Sequence, residues 1–169
     1  MAQISFHEEQ RLRQWWVWLL VVIGVGLGWW GFIQQIVLDQ PWGTNPGPEW
    51  AIVLTWLLTG IGLPLFVIYV KLDVTVSGES VDINFRPLTR RVIPVDQIAH
   101  FRARTYSPLG EYGGWGLRGL GHNRAYNISG NQGVELVLMD GRIVLIGSRR
   151  AEELAEAIES VRNARLKST

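Results

Sequence analysis

Residues 15–38 read WWVWLLVVIGVGLGWWGFIQQIVL, and residues 50–70 read WAIVLTWLLTGIGLPLFVIYV. Neither run contains a charged residue, and each is long enough as a helix to cross a hydrocarbon core of about 30 Å. Both exceed the apolar core of a secretory signal, and no small-residue cleavage site follows the first. The chain therefore predicts two membrane-spanning helices joined by a loop over residues 39–49. A buried hairpin of a soluble protein is the alternative, which the small size of the remaining chain disfavours.

Basic residues beside the two runs predict the orientation of the hairpin. Arg11 and Arg13 precede the first run and Lys71 follows the second, whereas the connecting loop carries two acidic residues and no Lys or Arg. Basic residues next to a span resist translocation. Residues 1–14 and residues 71–169 are therefore both expected in the cytoplasm.

Glycines recur on one face of the first predicted helix. Gly24, Gly28 and Gly31 follow the spacing i, i+4, i+7, which lets the backbone of another helix approach closely. The second predicted helix offers a small, weakly polar stripe around Thr55 and Thr59. The glycine face is therefore expected to pack either against this second helix or against a helix of another protein.

The two runs lack the side chains of transport or electron-transfer sites. They contain no His, Asp, Glu, Lys, Arg or Met. Proton and ion pathways normally use an ionisable group inside the membrane, and haem needs an axial ligand such as His or Met. Both runs are therefore interpreted as anchors.

Composition excludes further classes of function. Sixteen basic and fifteen acidic residues leave a net charge of +1, which argues against a dedicated nucleic-acid binder. The absence of Cys removes disulfides, thiolate metal sites and Cys nucleophiles.

Alternation of apolar and polar residues with a period of two predicts short strands after Lys71. Asp140-Gly141 between two apolar runs is a strong hairpin signal. The predicted strands are residues 72–76, 81–85, 90–93, 98–105, 124–128, 134–139 and 142–147.

The last segment changes to a helical period. Leu154, Ile158 and Val161 fall on one face of a predicted helix over residues 149–167, which Ser148 can cap. A run of strands followed by one amphipathic helix predicts a small, strongly bent sheet closed at one end by that helix.

Three motifs carry a resemblance to a group of membrane proteins. They are Ile93-Pro-Val-Asp-Gln-Ile98, Tyr112-Gly-Gly-Trp-Gly-Leu-Arg118, and the ending from Asp140-Gly-Arg to Leu154. With the two apolar runs, most of the chain resembles bacterial two-transmembrane-helix membrane proteins that carry a bacterial pleckstrin-homology-like (PH-like) domain. The resemblance implies a membrane α + β protein of the bacterial cytoplasmic (inner) membrane. An N-terminal two-helix transmembrane hairpin would precede a PH-like, partly open β-barrel of about seven strands with a C-terminal capping helix.

Candidates for catalysis are few, and the resemblance implies none. His7, His100 and His122 are the three histidines, and the chain has no nucleophile elbow, zinc-protease, phosphate-loop or calcium-loop motif. A pairing of His122 with Glu111 is the one arrangement that would suit an enzyme. We expect no catalytic residue, no cofactor and no metal ligand.

Residues 106–126 are the richest candidate for recognition. Six glycines give this stretch backbone freedom, and aromatic and Arg side chains are enriched at interface hot spots. The stretch is a bulged edge strand whose Trp115 fills the barrel, a docking surface for another protein, or a small-ligand site. The candidate contact residues are Tyr112, Trp115, Arg118, His122, Arg124 and Tyr126.

The PH-like resemblance suggests a second surface, for lipid. The first hairpin loop, Ser77-Gly-Glu-Ser80, lacks the basic residues with which phosphoinositide-binding pleckstrin-homology domains hold their ligand. Arg86, Arg90 and Arg91 form the best basic cluster, at about 1 kcal/mol per residue near an anionic surface. They are candidate contacts to lipid headgroups.

These observations favour a non-catalytic, membrane-anchored interaction module. The first interpretation is a small accessory or structural subunit that stabilises a larger membrane protein complex, for example a respiratory or photosynthetic one. The alternative is a membrane-tethered PH-like sensor of a lipid or small ligand, and an enzyme ranks last. The expected partners are a larger integral membrane protein or complex and membrane lipids, with no nucleic acid.

Overall fold

The computed structural model describes residues 4–119 and 123–166, which fall into two compact units. Leu12–Tyr69 form one of them, called here the hairpin unit. The chain before Leu12 and the chain after Tyr69 together form the other, called the sheet unit. The hairpin unit is thus an insertion into the chain of the sheet unit.

Two long helices make up the hairpin unit. The first is α1 (Trp15–Phe32), which continues as a π-helical turn over Ile33–Val37. The second consists of α2 (Glu49–Trp56), a π-helical turn over Leu57–Gly62, and α3 (Leu63–Tyr69). Both helices are long enough and apolar enough to cross a membrane, and each limit lies within one residue of the predicted span.

Aromatic rings join the two helices. Phe32 stacks on Trp56 with ring centroids 4.3 Å apart, and Trp29 meets Trp56 edge to face at 5.2 Å. Beyond the rings, the side-chain amide of Gln35 donates a hydrogen bond of 2.7 Å to the carbonyl of Gly47 in the connecting loop. The two helices are therefore held together without a charged side chain.

Two sheets make up most of the sheet unit. The first is antiparallel throughout, in the order β1-β2-β3-β4. The second has the order β5-β8-β9-β7-β6 and is antiparallel except for the β7–β9 pair. The strands of the first sheet are β1 (Ile4–Arg11), β2 (Lys71–Ser77), β3 (Ser80–Arg86) and β4 (Thr89–Pro94). Those of the second are β5 (Ile98–Thr105), β6 (Gly116–Arg118), β7 (Asn123–Asn127), β8 (Gln132–Leu138) and β9 (Ile143–Gly147).

Two α-helices and a 3-10 helix over Val95–Gln97 accompany these sheets, and the longest helix contacts both sheets. A short helix, α4 (Pro108–Tyr112), lies between β5 and β6, and α5 (Ala151–Leu166) follows β9. The long α5 contacts β1 and β2 in the first sheet and β5 and β8 in the second. Its apolar side chains Leu154, Ile158 and Val161 are buried, as the helical period predicts. Burial of such a side chain contributes roughly 1.5–3 kcal/mol.

The hairpin predicted at Asp140-Gly141 is confirmed. β8 and β9 pair antiparallel on either side of it. Gly141 has a φ of 81°, a conformation that glycine adopts without strain. The Asp140 carboxylate accepts a hydrogen bond of 3.0 Å from the backbone N–H of Arg142, which holds the turn together.

The described strands do not close into a barrel. β4 and β5 are consecutive in the chain, yet they belong to different sheets. The coarse arrangement of two apolar helices, then β-structure, then a C-terminal helix is as expected. The expected single bent sheet of about seven strands is not observed. The structure describes nine strands in two sheets.

The first additional strand lies before the hairpin unit. We predicted no strand in residues 1–14, the N-terminal segment before the first apolar run, but Ile4–Arg11 forms β1 and pairs along its length with β2. Its inward positions carry Phe6, Glu8 and Gln10 rather than an apolar series. Both polar side chains form buried hydrogen bonds: Glu8 accepts from the Ser148 hydroxyl at 2.5 Å, and the amide nitrogen of Gln10 donates to the Gly147 carbonyl at 2.8 Å. The amide oxygen of Gln10 has no hydrogen-bond partner within the described residues.

Candidate functional site

The glycine-rich stretch folds as a short helix followed by a short strand. The hydroxyl of Ser107 caps α4 by accepting a hydrogen bond of 3.1 Å from the backbone N–H of Gly110. Gly113 ends the helix in the left-handed conformation, with a φ of 69°. The following strand β6 is fixed to β7 by Asn127, whose side-chain oxygen accepts from the N–H of Gly116 at 2.8 Å.

Two tyrosines pack under this stretch. Tyr106 and Tyr112 meet edge to face with ring centroids 5.9 Å apart, and both rings pack on the buried Ala125 and Leu145. Burial raises the pKa of both phenols. Tyr106 also accepts a hydrogen bond of 3.1 Å from the side-chain amide of Asn127. Tyr112 is therefore part of the packed interior as much as of the surface.

Other proposed docking residues also make internal contacts. The indole N–H of Trp115 donates to the carbonyl of Gly130 at 2.9 Å, and the Arg118 side chain folds back onto the carbonyl of Trp115 at 3.0 Å. Tyr126 is completely buried and Arg124 is exposed. His122 lies outside the described residues. The described members of the set are thus not one continuous surface.

Glu111, the carboxylate that the enzyme hypothesis would pair with His122, belongs to an ionic cluster. Arg104 contacts Glu111 at 2.7 Å and Glu135 at 2.9 Å, and Glu135 also receives Arg102 at 2.8 Å. The hydrogen bond from Arg104 holds the pKa of Glu111 below its ordinary value, helped by the backbone N–H of Ser107. Glu111 is therefore a charged partner of Arg104.

The glycine face of α1 is used inside the hairpin unit. A methyl group added at Gly28 would collide with the Thr59 hydroxyl, and one at Gly31 would lie 3.0 Å from the Trp42 ring. Gly24 faces Leu63 in the same way, at 3.4 Å. Gly24 and Gly28 thus face the second helix, which is the first of the two expected packing modes, whereas Gly31 faces the connecting loop.

The three arginines of the proposed lipid surface lie on two faces of the first sheet. Arg86 and Arg90 extend from the outer face, where they contact Asp73 at 3.5 Å and Asp82 at 2.6 Å. Arg91 is paired in register with the buried Ile83, so its side chain extends from the opposite face. The side chain of Arg91 thus extends from a different face of the sheet than those of Arg86 and Arg90.

Arg91 instead lines a cleft with residues of the second sheet. This cleft has a volume of about 380 Å³ and lies along β4, β7 and the β8–β9 hairpin. Arg124 and Tyr126 are two residues apart on β7, so their side chains share one face. We call this site the arginine cleft. Its lining includes four arginines and one tyrosine: Arg90, Arg91, Arg124, Arg142 and Tyr126.

Two features distinguish the arginine cleft from an ordinary basic surface. Among the described residues, Arg91 and Arg124 form no hydrogen bond or close ion pair, although Arg91 lies near enough to Asp140 to contribute to its lowered pKa. The buried hydroxyl of Tyr126 has no hydrogen-bond partner within the described residues. An unsatisfied buried group of this kind costs about 1–3 kcal/mol.

Sequence reasoning named Arg91, Arg124 and Tyr126 but assigned them to different surfaces, and it missed Arg142 as a site residue.

Neither the described residues 4–119 nor 123–166 contain a group of three His, Asp or Glu side chains that suits a metal ion.

Comparison with known proteins leaves the family open. No protein-family model matches the chain, and a search of the curated proteins finds no match.

Proposed function

We propose that the chain is a non-catalytic, membrane-anchored interaction module of the bacterial cytoplasmic membrane. The observation that carries this proposal is the pairing of β1 with β2, in which Arg11 lies opposite Lys71. The chain leaves this end of the first sheet for the hairpin unit and returns to the same end. Two spans inserted between adjacent strands therefore start and finish on one side of a membrane.

Charge at the same end of the sheet supports a cytoplasmic location. Arg11, Lys71 and Arg86 lie in neighbouring register positions there, and Arg13 follows in the chain. Basic residues next to spans favour the cytoplasmic side. On this topology the whole sheet unit lies in the cytoplasm and the loop between the helices lies outside.

The helix surfaces support a membrane environment. With the glycine face occupied, the described helices still expose large apolar side chains outward, among them Trp15 at 76%, Trp30 at 61% and Leu58 at 60%. Exposing this much contiguous apolar surface to water would be unfavourable. Lipid tails, or the spans of a larger membrane protein, would cover it.

We infer a small accessory subunit that stabilises a larger integral membrane complex as the role of this module. The supporting features are the apolar runs 15–38 and 50–70, which contain no Asp, Glu, His, Lys or Arg, and a sheet unit whose candidate acid, Glu111, is paired with Arg104. The resemblance to two-span proteins with a PH-like domain stays a prediction. A membrane-tethered sensor is the second candidate, because the arginine cleft offers a ligand site.

Extraction in a mild detergent at native expression level tests the subunit role. The chain should co-purify in constant ratio with one larger membrane protein, and deleting the chain should lower the amount of that protein's assembled complex. A monodisperse monomer, together with an unchanged level of every membrane complex in the deletion strain, would contradict the role.

A further inference from the structure

We propose that the arginine cleft binds a phosphate group, carried either by a small phosphorylated molecule or by a lipid headgroup. The proposal rests on the sheet unit alone and does not require the accessory-subunit role. It reassigns Arg124 and Tyr126 from a protein-docking surface to a ligand site.

The charges of the cleft favour an anion. Arg90 and Arg142 are already neutralised, because they contact Asp82 and Asp140 at 2.6 and 2.5 Å. The other two guanidinium groups of the cleft, those of Arg91 and Arg124, have no such partner among the described residues. Among the described residues no carboxylate lines the cleft, so Arg91 and Arg124 supply two positive charges that no close ion pair offsets.

Strand register explains why the two available guanidinium groups face the same space. Arg91 lies opposite Ile83 on the inner face of the first sheet, and Arg124 lies beside Val144 on the inner face of the second. Ile83 and Val144 are completely buried. Each arginine thus continues a buried apolar row to the rim of its sheet, where both line the cleft.

Tyr126 supplies the second, independent sign of a ligand. It lies two residues after Arg124 on the same face, lines the cleft and is completely buried. Its hydroxyl has no hydrogen-bond partner among the described residues. Buried polar groups are normally hydrogen-bonded, and a bound molecule can supply the partner that this phenol lacks within the fold.

Phosphate suits these groups better than a carboxylate does. A guanidinium group binds phosphate oxygens in pairs through its planar fork. A phosphate offers enough oxygens for two such forks and a tyrosine hydroxyl together, whereas the two oxygens of a carboxylate are used by one fork. The cleft volume of about 380 Å³ lies within the range of about 300–1,000 Å³ of small-molecule sites, so it also has room for the group that carries the phosphate.

Calorimetric titration with glycerol 3-phosphate tests the free-anion form of the proposal. The full chain is placed in nanodiscs of phosphatidylcholine, which carries no net charge. Arg124→Gln should weaken binding about 10- to 100-fold, and Tyr126→Phe about 3- to 10-fold, because each removes a hydrogen-bond donor to the phosphate. Arg118→Gln removes one charge outside the cleft and should leave the affinity unchanged.

Phosphatidic acid in the nanodisc tests the lipid form. If a lipid headgroup is the natural ligand, native mass spectrometry should find phosphatidic acid retained by the wild type and by Arg118→Gln and lost from Arg124→Gln. Circular dichroism checks that each variant is folded; Arg124 is exposed, so its replacement should not change the unfolding temperature.

Either Arg124-dependent result supports the site and identifies the source of the phosphate. The proposal is overturned if glycerol 3-phosphate does not bind while the wild type and Arg124→Gln retain equal amounts of phosphatidic acid. Equal weakening by Arg118→Gln and Arg124→Gln would also overturn it, since only the net charge would then matter. Neither result bears on co-purification with a larger complex.

Discussion

Gln10 on the first strand donates a hydrogen bond of 2.8 Å to the carbonyl of Gly147, which lies 137 positions later in the chain and ends β9. This contact ties the segment before the hairpin unit to the second sheet. The neighbouring Glu8 does the same through Ser148 and the backbone N–H of Arg149. The N-terminal strand is therefore an integral part of the sheet unit.

Replacing Gln10 should destabilise the sheet unit. Gln10→Ala leaves the Gly147 carbonyl buried without its partner, which costs about 1–3 kcal/mol. Thermal unfolding of the full chain in detergent, followed by circular dichroism of the β-structure, measures the change. Ser5→Ala, at an exposed position of the same strand, is the matched control and should unfold at the wild-type temperature. An unchanged unfolding temperature for Gln10→Ala would show that β1 is not anchored there.

The glycine face of α1 predicts a contrast between two neighbouring positions. Gly28→Leu should collide with Thr59 and separate the helices, at a cost of about 1–3 kcal/mol. Gly26→Leu should be tolerated, because no atom lies within 4 Å of its added Cβ. The helical unfolding transition in detergent distinguishes the two. Equal effects at both positions would contradict the packing of the hairpin unit.

Acid should weaken the ion pairs that Glu9 forms with Arg11 and Lys71 at the end of the β1–β2 pair. Hydrogen bonds from Lys71 and Arg11 lower the pKa of Glu9 from 4.5 to about 2. A carboxyl group with a lowered pKa in the folded state stabilises the fold above the unfolded pKa, and this contribution is lost as pH falls from 4.5 towards 2. Glu9→Gln should therefore reduce the fall in unfolding temperature between pH 5 and pH 2, two assay values chosen to bracket that range.

A matched control for this pH effect is Glu156→Gln, which removes an exposed carboxylate of α5. It should keep the wild-type fall in unfolding temperature. The account of Glu9 would be wrong if both variants gave the same pH dependence.

Replacing Asn127 should destabilise the sheet unit. Asn127 is completely buried and joins β6 to Tyr106 through hydrogen bonds of 2.8 and 3.1 Å. Asn127→Ala removes both bonds, and we expect a loss of about 2–4 kcal/mol in the free energy of unfolding. Asn131→Ala, which changes an exposed side chain nearby, should have little effect. Urea unfolding of the two variants provides the comparison, and equal losses would remove the role assigned to Asn127.

Local patterns predicted most elements of this fold. Apolar runs defined both long helices to within one residue, and the Asp140-Gly141 turn defined the β8–β9 hairpin. The sequence pattern did not predict β1, because its inward positions include Glu8 and Gln10, whose hydrogen-bond partners are more than a hundred residues away. A period-two pattern detects a buried face only where that face is apolar.

The candidate site was less accessible to sequence reasoning. The sequence predicted a strand over residues 124–128 but did not show that Tyr126 is buried while Arg124 is exposed. The arginine cleft also combines β4, β7 and the β8–β9 hairpin, which are separate in the chain. Only the register of the strands shows that Arg91 extends from the face opposite to that of Arg90, towards the cleft that Arg124 also lines.

The most direct test of membrane anchoring uses the absence of cysteine in the chain. Single variants Thr44→Cys in the hairpin loop, and Ser5→Cys and Glu79→Cys in the sheet unit, are treated in intact bacterial cells with a membrane-impermeant maleimide. The account predicts that Thr44→Cys is labelled in intact cells and that the other two are labelled only after lysis. Labelling of Ser5→Cys or Glu79→Cys in intact cells, or protection of Thr44→Cys, would contradict a hairpin that holds the sheet unit in the cytoplasm.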